Sequence, residues 1–243
     1  GGLEGFAPFE VVAELPRHYY AANPAPQASP QLTKTVQKEW RALRRGLPAG
    51  IYVRASEERM DLMRAVITGP AKTPYEDGLY TFDISLGPDY PAAPPQVYFW
   101  SFGDRLNPNL YDNGKVCLSL LGTWRGDSVE TWNPEQSSVL QVLVSIQALV
   151  LVAEPYYNEA GYEKQIGTQE GRHNSQQYNE GTLLLALKHA MLTAAHPSPP
   201  FEPLVQAHFA ARRPAILRRC RRMVAMALGE EAGAAGAGVQ LAC

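Results

Sequence analysis

The chain has 243 residues, of which 45% are hydrophobic and 19% are charged, and its formal net charge is −2. This length suggests one or two domains with a sizeable core, and the near-neutral charge does not indicate binding to nucleic acid or to a membrane surface. Cys117, Cys220 and Cys243 have no regular spacing, which argues against a disulfide framework and against a cysteine-rich zinc site. We therefore expect a reducing compartment, the cytoplasm.

Residues 1–32 are expected to form an irregular lead-in. The chain starts at Gly1 with neither an initiator methionine nor a basic and apolar signal segment, so we expect a piece of a longer protein. Proline and small polar residues at 23–30 indicate a linker.

An amphipathic helix is predicted over Thr33–Arg45, because Val36, Trp40 and Leu43 follow helical spacing and Gly46 ends the pattern. Its other faces are basic, which is typical of a solvated face and also suits a docking surface. These faces carry Lys34, Lys38 and Arg41.

The pattern changes to strands after Ile51. Asp61–Pro70, Gly78–Leu86 and Gln96–Trp100 are typical of strands, and the proline-rich segment Tyr90–Pro95 is not. Strands joined by short turns before any long helix favour an antiparallel meander, and thus an α+β fold.

Two further helices are predicted after this sheet. Val139–Ala153 is apolar over about fifteen residues, short of the roughly twenty that a bilayer requires, so we interpret it as a buried helix with Gln141 and Ser145 facing outward. Gln176–Leu192 is amphipathic, with Tyr178 among its inward candidates.

The end of the chain differs in composition. Residues 196–228 are expected to form a separate helical basic extension, and residues 229–243 a disordered Ala/Gly-rich tail. The arginines of the extension indicate either a solvated helix face or a site for acidic protein, lipid or RNA. They are Arg212, Arg213, Arg218, Arg219, Arg221 and Arg222.

The stretch Arg105–Trp124 contains Cys117 just behind turn signals. Asn107-Pro-Asn109 suits a tight turn, and Asn113-Gly114 predicts a two-residue hairpin in which both positions can take positive φ. From this stretch alone, Cys117 is either a small buried hydrophobe or a reactive thiol, and Val116–Leu121 is typical of a strand.

Four motifs stand in an order and spacing that resemble the ubiquitin-conjugating (E2) superfamily. They are Thr73–Gly78, Tyr90–Pro95, Asn107–Asn109 ahead of Cys117, and Trp132. The resemblance covers about residues 34–195. Asn107–Trp124 and Glu154–Tyr162 look closest to the large E2/E3-hybrid enzymes, including the plant phosphate-homeostasis type.

The resemblance implies a ubiquitin-conjugating (UBC) core domain over residues 33–195. Its fold has an N-terminal helix, a four-stranded antiparallel meander, an active-site segment and C-terminal helices. The family holds the cysteine in extended, irregular chain beside a shallow groove, rather than in a strand.

The resemblance also implies acyl transfer through a thioester. Cys117 would accept ubiquitin from an activating enzyme (E1), which uses the ATP, and would pass it to a lysine of a substrate protein. No cofactor or metal is expected in this chain. The plant-type likeness points to membrane transporters as candidate substrates and to association with endomembranes.

Further roles follow from matched positions. Asn109 matches the amide that stabilises the oxyanion or holds the active-site loop, and a plain turn role stays open. Asn158 and Glu159 are the candidates for lowering the pKa of the incoming lysine, although Glu159 also suits an exposed loop carboxylate. Lys34, Lys38, Arg41, Ala92 and Pro134 match the surfaces that dock E1 and ligases.

This chain departs from the usual family pattern in three places. Asn107 replaces a histidine that is regarded as structural, and Ser119 replaces a common aspartate, which makes it a candidate phosphorylation gate. Ala92 replaces a bulky aromatic and residues 125–131 add a polar segment, which puts docking of RING-type ligases in doubt.

Two other classes of protein remain open. A catalytically inactive UBC-fold module that binds ubiquitin or acts as an adaptor would share the fold. A cysteine hydrolase would need a histidine base, and none lies near Cys117 in the sequence.

Overall fold

The computed structural model describes residues 5–27, 29–123 and 131–227. Its single sheet has the strand order β1 (Phe9–Val12), β2 (Ile51–Ser56), β3 (Leu62–Thr68), β4 (Leu79–Ser85) and β5 (Gln96–Phe99). Its helices are α1 (Pro30–Gly46), α2 (Val139–Ser145), α3 (Gln169–Ala195) and α4 (Glu202–Ala227).

The predicted α+β fold is confirmed, since β2 to β5 form a four-stranded antiparallel meander. The lead-in was predicted to be irregular, and this is wrong for β1, which pairs with β2 in parallel with Phe9 opposite Val53. Phe9 is buried, and its ring centroid lies 6.4 Å from that of Trp40 on α1. Apolar packing together with backbone pairing therefore orders a segment too short to show a clear strand period.

Helix α1 confirms the predicted amphipathic pattern. Ser29 caps its first turn by accepting a hydrogen bond from the Leu32 N–H. Val36 and Leu43 are buried, whereas the predicted basic residues Lys34, Lys38 and Arg41 are exposed. The buried carboxylate of Glu39 was not predicted.

Alternation along the strands gives the sheet two buried faces. Residues such as Val53 and Phe82 join the main core, together with α1 and α2. The opposite, outer face has its own apolar cluster of Tyr52, Val66, Leu79, Phe201, Leu204 and Val205. The last three come from α4 and the turn before it, so the predicted separate extension is in fact packed against the sheet.

Helix α4 confirms the predicted helical extension and runs through Pro214 without a break. Arg212 and Arg219 form ion pairs with Asp77, whose turn joins β3 and β4. Arg213, Arg218, Arg221 and Arg222 are exposed. The predicted disordered tail at 229–243 lies outside the described residues.

Helix α2 begins with a capping box between Ser138 and Gln141. The predicted helix over residues 139–153 ends early, because the chain changes to a π-turn over Ile146–Val150. Helix α3 begins earlier than predicted, where Thr168 accepts a hydrogen bond from the Gly171 N–H. Along the described ranges, none of the helices has both the length and the apolar character that crossing a membrane requires.

A buried charged cluster lies on the outer face of the sheet. Arg64 Nε donates to Asp83 Oδ1 at 2.6 Å, and Arg64 Nη2 donates to Asp83 Oδ2 at 2.9 Å. The Trp100 Nε1–H (3.0 Å) and the Tyr19 backbone N–H (2.8 Å) also donate to Asp83 Oδ2. Arg64 further donates to the carbonyl of Pro199, so one cluster joins the sheet to both flanking segments.

A buried histidine on α3 also contacts the sheet. The His189 ring stacks on Phe99, with centroids 5.5 Å apart, and His189 Nε2 donates to the Trp100 carbonyl at 3.0 Å. Burial lowers the pKa of His189 from 6.5 to about 4, against the opposing effects of the Trp100 hydrogen bond and Asp104. His189 is therefore neutral in the folded protein at neutral pH.

This shift predicts a loss of stability on acidification. Between pH 6.5 and about 4 the unfolded chain binds a proton at His189 that the folded protein does not. The stability that depends on a neutral His189 is fully present above pH 6.5 and is lost as the pH falls. We expect this loss to lower the free energy of unfolding by about 3 kcal/mol. Urea denaturation of the wild type and of His189→Gln from pH 7 to pH 4 checks this. An unchanged pH dependence in the variant would contradict the prediction.

Candidate active site

Asn107 anchors the segment that leads to the cysteine. Its side chain is fully buried, and Nδ2 donates to the Tyr75 hydroxyl at 2.7 Å and to the Val150 carbonyl at 2.8 Å. Its Oδ1 accepts from the Asn109 N–H at 2.7 Å. Asn107 thus connects this segment to the β3–β4 turn and to the end of the π-turn. These contacts are those of a structural residue.

The hairpin ahead of the cysteine has one residue with positive φ, not two. Gly114 has φ +85°, whereas Asn113 does not enter the left-handed region, which corrects the predicted two-residue turn. A Cβ on Gly114 would clash with the ring of Tyr98, so a larger residue does not fit there unless that ring moves. Val116 and Lys115 make isolated bridges to neighbouring chain rather than a strand, so the strand predicted at 116–121 is wrong and the extended chain implied by the family is observed.

Asn109 and Cys117 are joined by two hydrogen bonds. The Cys117 N–H donates to the Asn109 carbonyl at 2.8 Å, and Asn109 Nδ2 donates to the Cys117 carbonyl at 2.8 Å. Asn109 is 9% exposed, and its Oδ1 is buried with no hydrogen-bond partner among the described residues. In this arrangement the side-chain amide holds the backbone of the cysteine.

Cys117 is 7% exposed as a residue, and its Sγ donates to the Thr123 carbonyl at 3.0 Å. Burial is the largest effect on the Cys117 thiol, and it raises the pKa. The Lys115 ammonium and the hydrogen bond with Thr123 lower this pKa, Glu159 raises it, and Arg105 lowers it. The thiol is therefore mostly protonated at neutral pH, and its electrostatic environment is set by charged groups on two loops.

Thr123 was missed by the sequence reasoning. Its hydroxyl donates to the Val116 carbonyl at 2.8 Å and accepts from the Leu118 N–H at 3.0 Å, which closes the loop behind the cysteine. A threonine six residues after a cysteine gives no signal in a single sequence, because the contact depends on the short 3-10 helix Ser119–Leu121. Ser119 is half-buried at the start of that turn.

Of the two predicted loop candidates, only Glu159 belongs to the charged surroundings of the thiol. Asn158 Nδ2 donates to the Leu149 carbonyl at 3.1 Å, so its amide is bound to the end of the π-turn. Glu159 forms an ion pair with Arg105, with 3.1 Å between Oε2 and Nη2.

The predicted docking residues lie on three exposed surfaces. Ala92 and Pro134 are exposed on two loops that are joined by a 2.7 Å hydrogen bond from Trp132 Nε1 to the Pro91 carbonyl. The third surface is the basic side of α1. Trp124 and most of the predicted polar segment 125–131 lie outside the described residues.

The buried side chain of Glu39 connects the elements that carry these surfaces. Its buried carboxylate accepts from the Tyr90 hydroxyl at 2.7 Å and from the Val139 N–H at 3.0 Å. Burial raises the pKa of Glu39, against the effect of these two hydrogen bonds. One carboxylate therefore joins α1, the proline-rich loop and the start of α2, a role that an amphipathic pattern cannot reveal.

The fold and the cysteine-bearing loop define a ubiquitin-conjugating domain, and comparison with known proteins agrees. The family model described as ubiquitin-conjugating enzyme matches residues 35–184. The chain belongs to the ubiquitin-conjugating enzyme family.

Several curated relatives resemble most of the chain. The probable ubiquitin-conjugating enzyme E2 23 of Arabidopsis thaliana is 50% identical over 216 residues, covering 88% of this chain and 20% of the relative. The putative ubiquitin-conjugating enzyme E2 38 of the same plant is 48% identical over 220 residues, covering 90% of this chain and 68% of the relative. The human dual E2 ubiquitin-conjugating enzyme/E3 ubiquitin-protein ligase BIRC6 is 47% identical over 181 residues, covering 73% of this chain and 4% of the relative. This chain therefore spans about a fifth of the first relative and far less of the last.

Proposed function

We propose that this chain is the catalytic domain of a ubiquitin-conjugating enzyme, which carries ubiquitin as a thioester on Cys117 and transfers it to a lysine. The proposal depends on one observation: two hydrogen bonds hold the backbone of Cys117 against Asn109 within a fold of this family. Similarity to relatives named as E2 enzymes supports the activity.

The proposed charging step exchanges one thioester for another. The Cys117 thiolate attacks the carbonyl carbon of ubiquitin on the activating enzyme, a carbon–sulfur bond to Cys117 forms, and the thiolate of the activating enzyme leaves. A cysteine suits both halves of the cycle, because its thiolate is a strong nucleophile and a good leaving group. A raised pKa of the thiol keeps much of it protonated at neutral pH, so charging should speed up as the pH rises.

The proposed discharge step moves the acyl group to nitrogen. A neutral lysine attacks the thioester carbonyl, the carbon–nitrogen bond forms, and the carbon–sulfur bond breaks as Cys117 leaves as a thiolate. The nitrogen releases its second proton to solvent, which leaves a neutral amide. The lysine must first lose a proton, since its ordinary pKa is near 10.4. Glu159 is the carboxylate proposed to receive that proton and pass it to water, and its effect on the Cys117 thiol supports this placement.

The proposed partners are ubiquitin, an activating enzyme and substrate proteins, with α1 and the Ala92 and Pro134 loops as docking surfaces. Similarity to BIRC6, which is named a dual E2/E3 enzyme, supports a hybrid enzyme that selects its own substrates. Membrane transporters as substrates, and a cytoplasmic location with endomembrane association, remain part of this proposal.

A charging assay tests the function. The chain is incubated with activating enzyme, ATP and ubiquitin, and the products are resolved with and without reductant. We expect an adduct that reductant removes. Absence of any adduct would overturn the proposal and favour an inactive UBC-fold adaptor.

Asn109→Ala tests the proposed role of the amide in discharge. Loss of one oxyanion donor typically slows a reaction on the order of 10²–10³-fold. We expect the variant to charge with ubiquitin nearly normally and to discharge to free lysine more slowly by about that factor. Single-turnover measurement of both half-reactions checks this. Equal losses in the two steps would show that Asn109 acts only by holding the loop.

A further inference from the structure

Arg105 and Glu159 form an ion pair on the loop surface beside the cysteine. Arg105 Nη2 lies 3.1 Å from Glu159 Oε2, and the two side chains are 44% and 42% exposed. Both groups are therefore open to a substrate. A pair this exposed contributes little to stability, because solvent screens it, so it can be exchanged at low cost.

The position of Arg105 is fixed by more than its carboxylate partner. Arg105 Nη2 also donates to the Pro108 carbonyl at 3.0 Å, and its guanidinium carbon lies 4.5 Å from the ring centroid of Tyr111. Pro108 directly precedes Asn109, which holds the backbone of Cys117. The guanidinium would keep these contacts if Glu159 turned to another cation.

The charges that act on the thiol from the described part of the chain are unequal. Among these residues Arg105 and Lys115 are cations, and Glu159 is an acid. The Lys115 ammonium also lies over Tyr111, at 5.5 Å from the ring centroid. When a substrate lysine approaches Glu159, it adds a further cation to Arg105 and Lys115. A substrate that brings its own carboxylate relieves the repulsion.

We propose that Arg105 makes the site selective for lysines that lie next to an acidic residue. The lysine ammonium displaces Arg105 from Glu159, and the neighbouring carboxylate binds the released guanidinium. An arginine suits this exchange, because its planar fork binds carboxylates in a defined geometry and stacks on aromatic rings. The inference rests on the proposed function, and it identifies the class of substrate that the same site accepts.

Single-turnover discharge into short peptides tests the inference. The enzyme is first charged with ubiquitin and freed of activating enzyme, and then mixed with peptides whose one lysine is flanked by Glu, Gln or Arg. For the wild type we expect the Glu peptide to react about fivefold faster than the Gln peptide, the range of one exposed ion pair. The preference should weaken as salt is added.

Variants separate selectivity from general damage, because the readout is a ratio of rates on two peptides. Arg105→Gln should bring the ratio of Glu to Gln peptides close to one, and Arg105→Glu should shift the preference to the Arg peptide. Arg213→Gln, an exposed arginine on α4, serves as the matched control and should keep the wild-type ratio.

The outcomes distinguish the two proposals. A charged enzyme that discharges into all three peptides equally, or an Arg105→Gln variant that keeps the preference, would overturn the selectivity of Arg105 and leave the proposed function intact. A chain that forms no thioester would overturn both.

Discussion

Cys117→Ala is expected to abolish attachment of ubiquitin, whereas Cys220→Ser leaves it unchanged. Cys117 is held by two hydrogen bonds to Asn109, and its thiol lies among the charged groups Lys115, Arg105 and Glu159. Cys220 lies half-buried on α4 and is not part of that loop. It therefore controls for loss of a thiol as such.

Cys117→Ser tests the same site through the chemistry of the bond to ubiquitin. A hydroxyl at this position would form an oxygen ester, which reductant does not cleave and hydroxylamine does. We expect slow accumulation of such an ester in the charging assay, since a serine hydroxyl is a weak nucleophile without a neighbouring base. A reductant-sensitive adduct that persists in Cys117→Ser would place the reactive thiol elsewhere in the chain.

Asp83→Ala is expected to lower the free energy of unfolding by about 3–5 kcal/mol, the usual cost of leaving one partner of a buried ion pair alone. Asp83 and Arg64 are both essentially inaccessible to solvent. Removal of the carboxylate would leave a buried guanidinium without its anion, and would also free the Trp100 and Tyr19 donors. Urea denaturation at pH 7 measures the change.

Two further variants identify the cause. Glu10→Ala breaks the pair with the buried Arg54 on the same face of the sheet, but the Glu10 carboxylate is half-exposed and Arg54 keeps its hydrogen bonds to the carbonyls of Ala7 and Val53, so we expect a smaller loss than for Asp83→Ala. The double variant Arg64→Met/Asp83→Leu removes both charges, and we expect it to recover much of the stability that Asp83→Ala loses. A double variant as unstable as Asp83→Ala would show that the packing of these side chains, rather than the unpaired charge, is responsible.

The sequence predicted those parts of the fold that depend on local patterns. The alternation in β4 and the apolar spacing of Val36 and Leu43 are local, and this strand of the meander and α1 follow from them. The short strand β1 and the packing of α4 depend on contacts between residues far apart in the chain, and local patterns carry no record of those contacts. The ion pairs of Arg212 and Arg219 with Asp77, which hold α4 near the β3–β4 turn, are contacts of this kind.

The candidate site was predicted unevenly for a similar reason. Cys117 and Asn109 were identified because their spacing is part of a motif. Thr123 and Arg105 were missed as partners, since their roles depend on how the loop folds back and on a carboxylate 54 residues away. Asn158 and Glu159 are adjacent in the sequence, but their side chains bind different partners. The Asn158 amide binds the Leu149 carbonyl, and the Glu159 carboxylate binds Arg105.

The packing of the outer face of the sheet has a consequence for how the domain is delimited. The match to the family ends at residue 184, within α3, and begins at residue 35, within α1. A fragment cut at those limits would lose β1 and Phe201, and would expose Tyr52, Val66 and Leu79. The carboxylate of Asp83 would meet water on the same uncovered surface. We therefore expect a fragment that keeps the flanks on both sides to be more stable than one cut at the limits of the family match.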